Sequence, residues 1–232
     1  MPNYNIVTDE EIFGEFIDWL PELADGECYY VSLFARKKYH ESAKNDKSQC
    51  KRFSARDKSW LVKKIRQLEI PRGRYTNKDG SSVHQDALAL YVSVNPRSYD
   101  LAQRNLLVKL AQNIAGQHTT TDPATLAMSQ LQKAKSRTCY VDFDFDTERL
   151  FEEMSGYIYN HVNYDAITIL NTRGGFHVLV DPAKVSSVFK NTWYKGLAGM
   201  KDCDVSGDNL IPFAGCVQGG FIPHLIQESP AP

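Results

Sequence analysis

The sequence predicts a mixed α/β protein of the α+β kind, in which helices back a β-sheet. Segments with apolar residues at helical spacing alternate with short segments rich in β-branched and aromatic residues, an order typical of helix-backed sheets. One short segment, residues 138–146, carries aspartate at every second position, and another, residues 165–180, reads as strand, glycine turn and strand. The composition, 42% hydrophobic and 24% charged, is ordinary for a soluble globular protein.

The aspartate-bearing strand is the strongest single signal in the chain. Because successive side chains of a strand point to opposite faces, Asp142, Asp144 and Asp146 share one face. Phe143 and Phe145 share the other. Carboxylates spaced about 7 Å apart repel one another unless a cation lies between them. Mg²⁺ or Mn²⁺ suits such a site, since hard ions take carboxylate, water and phosphate oxygens. An edge strand with a solvated acidic face is the alternative.

The turn at residues 171–175 supplies groups that suit a triphosphate. Arg173 offers a forked donor for phosphate oxygens, and Gly174 and Gly175 let the backbone pass close to a ligand. His177 follows on the next strand. Taken with the aspartates, these residues predict a nucleotide-binding site, and a histidine satisfied by packing is the alternative for His177.

The order of these motifs resembles that of the archaeo-eukaryotic primase superfamily. A hydrophobic-Asp-x-Asp strand, a helix, and a strand-turn-strand ending in Arg-Gly-Gly-Phe-His-Val are similar to its first two motifs, and residues 202–215 resemble its third. The resemblance covers residues 140–226. It implies a two-lobed primase-like core of the phage or plasmid primase-polymerase type. Its RRM-like, helix-backed sheet would carry the Asp-x-Asp and His motifs.

The resemblance also implies an activity and a set of roles. The activity is that of a DNA primase or primase-polymerase in DNA replication, a nucleotidyltransferase that copies single-stranded DNA from nucleoside triphosphates with two divalent ions. Asp142, Asp144 and Asp208 would hold Mg²⁺ or Mn²⁺, with Asp204 as the alternative third carboxylate. His177 would act as a catalytic contact to the triphosphate. The nucleotide-binding residues would be Arg173, Gly174, Gly175 and His177.

The N-terminal half contains a basic region that suits nucleic acid. Residues 36–78 hold 15 Lys and Arg against 4 Asp and Glu, while the whole chain has a net charge of −1. Such a segment predicts an electrostatic footprint for single-stranded DNA, although a solvated basic face is the alternative. The candidate DNA-binding residues are Arg36, Lys37, Lys38, Arg72 and Arg74. The candidate stacking aromatics are Tyr39, Phe53, Trp60 and Tyr75.

The chain is predicted to be one unit with two lobes, an N-terminal basic lobe at residues 1–135 and a catalytic lobe at residues 136–232. Its five cysteines are odd in number and widely scattered, with no Cys-x-x-Cys pair, which argues against a disulfide framework. No apolar run is long enough to span a membrane, so a cytoplasmic location is expected, that of the bacterial host if phage or plasmid encoded. With no recognisable helicase in the chain, a separate helicase or replicative polymerase would fit as a partner.

Periodicity and capping signals place the remaining elements. Thr8 and Glu11 predict a capping box for the first helix, and Asp146 is predicted to cap the helix after the acidic strand. The predicted helices cover residues 12–20, 59–68, 96–114, 123–135, 147–162 and 182–197. The predicted strands cover residues 28–35, 88–94, 138–146, 165–170 and 175–180.

Three other functions would use parts of the same pattern. A glycosyltransferase also uses Asp-x-Asp, but it would not need the Arg-Gly-Gly-Phe-His turn. A rolling-circle nuclease needs two histidines separated by one residue, and His177-Val178-Leu179 lacks the second. The non-enzymatic alternative is a replication module with an RRM-like fold that binds single-stranded DNA. It predicts DNA binding that survives loss of Asp142 and Asp144.

Overall fold

The computed structural model describes residues 2–116 and 122–226. These residues form two antiparallel sheets of five strands each and six α-helices, so the predicted α+β class is confirmed. The helices are α1 (Glu10–Trp19), α2 (Lys58–Arg66), α3 (Tyr99–Ile114), α4 (Pro123–Lys133), α5 (Phe151–Tyr159) and α6 (Trp193–Ala198). The strands are β1 (Glu27–Ala35), β2 (Ser48–Ala55), β3 (Leu88–Ser93), β4 (Arg97–Ser98), β5 (Val141–Asp146), β6 (Ile167–Thr172), β7 (Gly175–Val180), β8 (Cys203–Gly207), β9 (Leu210–Pro212) and β10 (His224–Ile226).

The first sheet has the strand order β2, β1, β3, β9, with β4 paired to one end of β1. Side chains of α1 and α2, including Phe16 and Leu61, pack with one face of this sheet in the larger core. Phe213 enters the same core, and β9 pairs with β3 through Ile211 and Val92. The first core therefore draws on residues from both predicted lobes, because the chain returns to this sheet after completing the second.

The second sheet has the order β10, β6, β7, β5, β8. From β5 to β8 the chain runs strand, helix, strand, strand, helix, strand, and the four strands lie in the order second, third, first, fourth, which is the split βαβ arrangement. Phe143 and Phe145 lie fully buried in the core against Met154 of α5 and Leu197 of α6. The predicted alternation along β5 is therefore confirmed, with its aromatic face inside and its acidic face turned away from this core.

Several sequence predictions agree closely with the observed elements. The predicted strands at residues 28–35, 88–94 and 175–180 correspond to β1, β3 and β7, and the predicted helices at residues 59–68 and 123–135 correspond to α2 and α4. Each of these segments has strong apolar periodicity between clear turn or capping signals. Such segments are the ones that local sequence specifies best.

The capping prediction at the first helix is wrong. The N-cap residue of α1 is Asp9, whose Oδ1 accepts a hydrogen bond from the Ile12 backbone N–H at 3.0 Å. The Thr8 hydroxyl instead donates to the carbonyl of Gly215 at 3.1 Å. Thr8 is thus engaged with a distant part of the chain, and the N-cap lies one residue later than predicted.

Two predictions about the C-terminal half are also wrong. Asp146 caps no helix, because α5 begins only at Phe151 and has Leu150 at its N-cap position without a side-chain hydrogen bond. The helix predicted over residues 182–197 is reduced to the six residues of α6, since the segment before it forms turns.

Strand β2, in the N-terminal half, is absent from the predicted strands. Its polar sequence, Ser-Gln-Cys-Lys-Arg-Phe-Ser-Ala, lies at a sheet edge and shows no apolar alternation.

We expect Asp9→Ala to lower the free energy of unfolding by about 1 kcal/mol, because α1 would lose its only side-chain cap. Glu11→Ala, which removes the other residue of the predicted capping box, should change it by less than about 0.5 kcal/mol. Urea unfolding of both variants measures the difference. An equal loss of unfolding free energy in both variants would support the predicted capping box and contradict a dominant role for Asp9.

In the described part of the chain, no helix has the length and apolar character needed to cross a membrane. All five cysteines are free thiols, and Cys28 and Cys216 are fully buried. Burial raises the pKa of the Cys28 thiol to about 11. These two cysteines therefore act as small apolar residues of the core.

Candidate active site

A cleft of about 350 Å³ opens between the two sheets. Its lining includes carboxylates and one histidine from the second sheet: Asp142, Asp144, Asp146, Asp204 and His177. It also includes basic and aromatic side chains from the first sheet and its loops: Phe34, Arg36, Lys38, Tyr39, Lys47 and Tyr91. The cleft thus brings together side chains of opposite charge from two separate sheets.

Strand pairing explains why the acidic side chains converge. Asp144 of β5 lies opposite His177 of β7 on one side and opposite Asp204 of β8 on the other. Directly paired residues have Cβ atoms roughly 5 Å apart on the same face of a sheet. The three side chains therefore form a row across the sheet, and Asp142 and Asp146 continue the acidic face along β5.

His177 links the two aspartates of the Asp-x-Asp motif. Its Nδ1 lies 2.8 Å from Oδ1 of Asp142, and its Nε2 lies 3.5 Å from Oδ1 of Asp144. The ring is 6% exposed and Asp142 is 0% exposed. Burial disfavours the charged ring, but the carboxylates of Asp142 and Asp144 outweigh it and hold the pKa of His177 above its ordinary value.

The carboxylates suit a divalent cation by their chemistry, since oxygen is the ligand that Mg²⁺ and Mn²⁺ prefer. Burial raises the pKa of Asp144, and Asp142 and Asp146 add to this effect, so a nearby cation would stabilise the charged form. Within residues 2–116 and 122–226, no three His, Cys, Asp or Glu side chains are already grouped to hold a metal ion. Asp144 and the exposed Asp204 are the residues that could share one, completed by water and phosphate oxygens.

Two of the basic side chains of the cleft, Arg36 and Lys38, lie against aromatic rings. The Arg36 guanidinium donates to the Tyr91 hydroxyl at 2.7 Å and lies 5.5 Å from the centre of the Tyr39 ring. The positive charge of Lys38 acts to lower the pKa of Asp144, against the larger effect of burial. Lys47 completes the basic lining. Phosphate groups entering the cleft would meet these cations, while a metal ion would meet the carboxylates.

The structure separates the two candidates for the third carboxylate. Asp204 lines the cleft beside Asp144, whereas Asp208, the predicted first choice, is absent from the described residues that line it. Asp208 is paired with the guanidinium of Arg97, which is 1% exposed, and accepts a hydrogen bond from the Asn95 side chain at 3.0 Å. Its carboxylate balances a buried charge where the two sheets meet, and the geometry favours Asp204 as the third member of the site.

The glycine turn lies beside the cleft, but two of its residues, Arg173 and Gly175, are in close contact with other parts of the protein. Arg173 is exposed and donates to the Gly219 carbonyl at 2.6 Å, with its guanidinium 4.9 Å from the Tyr39 ring centre. Gly174 lines the cleft. Gly175 has φ +143°, and a Cβ there would lie 1.9 Å from the Phe145 carbonyl oxygen. The close approach of this turn to β5 therefore accounts for Gly175.

We expect Gly175→Ala to cost about 3 kcal/mol of unfolding free energy, because the methyl group meets backbone and the φ angle is strained. Gly174→Ala is the matched control. Its Cβ would lie 3.2 Å from the movable Asp146 carboxylate, so a loss below about 1 kcal/mol is expected. Thermal and urea unfolding compare the two, and equal losses would show that the turn is not pressed against β5.

The predicted DNA-binding residues are divided between two places. Arg36 and Lys38 line the cleft, and Lys37 is exposed next to them. Arg72 and Arg74 are exposed in the segment after α2 and are not among the described cleft residues. The suggested stacking role of Tyr75 is wrong, because its ring is 3% exposed and its hydroxyl donates to the Leu68 carbonyl at 2.7 Å.

Sequence reasoning missed several residues that shape the site. Tyr91 and Gln218 line the cleft, and the Gln218 amide donates to the Tyr39 hydroxyl at 3.2 Å. Asn95 is fully buried, and its Oδ1 accepts from the backbone N–H groups of Cys139 and Tyr140, where the chain approaches β5. The only available signal for Asn95 was its place in an Asn-Pro step, which predicts a turn and no more.

Comparison of the chain with models of known protein families, with curated proteins and with solved structures found no match. The functional interpretation therefore depends on the residues of the cleft and their geometry.

Proposed function

We propose that the protein is a metal-dependent nucleotidyltransferase of the primase-polymerase kind, which copies single-stranded DNA from nucleoside triphosphates. The observation that carries this proposal is the composition of the cleft, where a row of Asp204, Asp144 and His177 shares one space with Arg36 and Lys38. Carboxylates that hold metal ions and cations that bind phosphates are the two groups that metal-dependent phosphoryl transfer uses. A merely solvated acidic strand would not need a buried Asp142 or a basic second wall.

The strand order of the second sheet supports the finer part of the proposal. The succession β5, α5, β6, β7, α6, β8 is the one expected of an RRM-like sheet. The acidic strand is an inner strand of that sheet, and the histidine strand is its neighbour. The neighbouring position of these two strands supports the proposal that one RRM-like sheet carries both motifs.

Each group in the cleft has a distinct task under this proposal. Bound Mg²⁺ or Mn²⁺ would neutralise the phosphates and lower the pKa of the primer 3′-hydroxyl. Asp144 and Asp204 would hold the metal, and Asp142 would keep His177 oriented through the 2.8 Å contact. Arg36, Lys38 and Lys47 would bind the phosphate oxygens and orient the triphosphate for attack.

Primer synthesis and extension on single-stranded DNA test the proposal directly. We expect labelled product from the wild-type protein with Mg²⁺ or Mn²⁺, and none after chelation. The double variant Asp142→Ala/Asp144→Ala and the variant His177→Ala should give no product while remaining folded by circular dichroism. Ribonucleotides and deoxynucleotides are supplied separately, so that the preferred sugar is read from the same assay.

The same assays, together with DNA-binding measurements, can overturn the proposal. No product with either metal or either nucleotide type, together with DNA binding that is unchanged in the double variant, would identify a non-catalytic module that binds single-stranded DNA. A partner such as a separate helicase or replicative polymerase would then be sought by its effect on that binding.

We expect Lys38→Gln to raise the KM for the nucleoside triphosphate about tenfold, because a charged hydrogen bond to phosphate would be lost. Lys37→Gln is the matched control, since it removes the same charge from an exposed neighbour outside the cleft lining. Steady-state kinetics at fixed template concentration measure both. Similar KM values for the two variants would contradict a phosphate-binding role for Lys38.

A further inference from the structure

Helix α2 carries several cations around a single indole ring. The Lys63 and Lys64 ammonium nitrogens lie 5.1 and 5.2 Å from the centre of the Trp60 ring, and the Arg56 guanidinium carbon lies 5.8 Å from it. We name these four residues the α2 cluster. Like charges crowded on one ring repel one another, so this arrangement favours an anionic partner.

Two neighbouring cations of α2 are paired with carboxylates, whereas the two lysines of the cluster are not. Lys58 pairs with Glu22, and Arg66 pairs with Glu10. Across the described residues, Lys63 and Lys64 form no ion pair. Arg56 has only a 3.7 Å contact with Asp57, and both side chains are largely solvent-exposed. Trp60 is half-buried and packs against the larger core, so it holds the cations at the edge of the first sheet.

Strand β2 connects this cluster with the cleft. It is an edge strand of the first sheet, beginning next to Lys47 of the cleft and ending next to Arg56 of the cluster. Lys51 is exposed between these ends. An eight-residue strand spans roughly 26 Å, so the cations Lys47, Lys51 and Arg56 are spread along one edge from the cleft outwards.

We propose that the α2 cluster and the β2 edge bind single-stranded nucleic acid outside the cleft, holding the part of the template that is not being copied. Cations without a carboxylate partner suit phosphates, and the half-buried indole beside them offers an aromatic contact for a base. The run of cations from the cleft along the β2 edge favours a nucleic acid strand over an acidic protein partner. That the strand is a template rests on the proposed function, whereas its binding does not.

The test measures binding of a labelled oligodeoxythymidylate by fluorescence anisotropy at several salt concentrations. We expect Lys63→Gln/Lys64→Gln to weaken binding about tenfold or more. The slope of the logarithm of the binding constant against the logarithm of salt concentration should become shallower by up to about two. The matched control is Lys190→Gln/Lys195→Gln, which removes the same charge from exposed positions on the second lobe and should leave binding unchanged. Trp60→Phe should abolish quenching of protein fluorescence by the oligonucleotide while keeping the fold.

Failure of this inference is distinguishable from failure of the proposed function. Equal binding by the two double variants, or absence of wild-type binding at low salt, would overturn the inference whatever the catalytic activity. Competition by polyglutamate as effective as that by the oligonucleotide would show a general anion surface and would also overturn it. An inactive wild-type protein that still binds through the α2 cluster would overturn only the proposed function.

Discussion

Asp144→Asn is expected to lower the rate of nucleotide addition by about three orders of magnitude, because an amide cannot supply the charge that holds a divalent ion. The folded protein should be as stable as the wild type or slightly more so. Burial already disfavours the Asp144 carboxylate, and Asp142 and Asp146 repel it. The 2.8 Å contact between Asp142 and His177 remains available in the variant.

Asp146→Asn is the control for this prediction. Asp146 lies on the same face of the same strand, but it is exposed at the end of β5, opposite Gly175. We expect its rate to stay within about threefold of the wild type, since a solvated charge contributes little. Single-turnover assays and thermal unfolding of both variants give the comparison. Equal activity losses would show that the acidic face acts through its total charge and not through a site at Asp144.

Asp208→Ala is expected to destabilise the protein by about 3–5 kcal/mol, because it leaves the buried guanidinium of Arg97 without its counter-charge. The Nε atom of Arg97 already has no hydrogen-bond partner among the described residues. Asn95 would also lose an acceptor. Urea unfolding measures the loss, which should appear with or without Mg²⁺.

Asp204→Ala, four residues away, is expected to have the opposite effect, with little change in stability and a large loss of activity. Asp204 is exposed and lines the cleft, so its removal should change stability by less than about 1 kcal/mol while lowering the rate of nucleotide addition strongly. If Asp208→Ala were fully stable but inactive, and Asp204→Ala were active, the third carboxylate of the site would be Asp208, as the motif resemblance first indicated.

The acidic strand is a feature that local sequence pattern predicted correctly. Alternation with period two placed Asp142 and Asp144 on one face and Phe143 and Phe145 on the other, and the structure confirms both faces. This works because the pleat of a strand is a local property, independent of what the strand packs against.

The third carboxylate shows where local pattern fails. Asp204 and Asp208 lie four residues apart in the same segment, and only pairing between β8 and β5 sets Asp204 beside Asp144. Asp208 is drawn towards Arg97, more than one hundred residues earlier in the chain. Register between strands depends on long-range packing, which short motifs do not contain.

Local sequence pattern was enough to predict the class of the fold, the acidic and aromatic faces of β5, and the turn that leads to His177. Long-range packing set Arg36, Lys38 and Lys47 in the same cleft as those carboxylates, returned β9 to the first sheet, and paired Asp208 with a buried arginine. The difference lies in the range of the interactions. Periodicity and turns arise from neighbouring residues, whereas charge pairing and sheet assembly join residues that the chain keeps far apart.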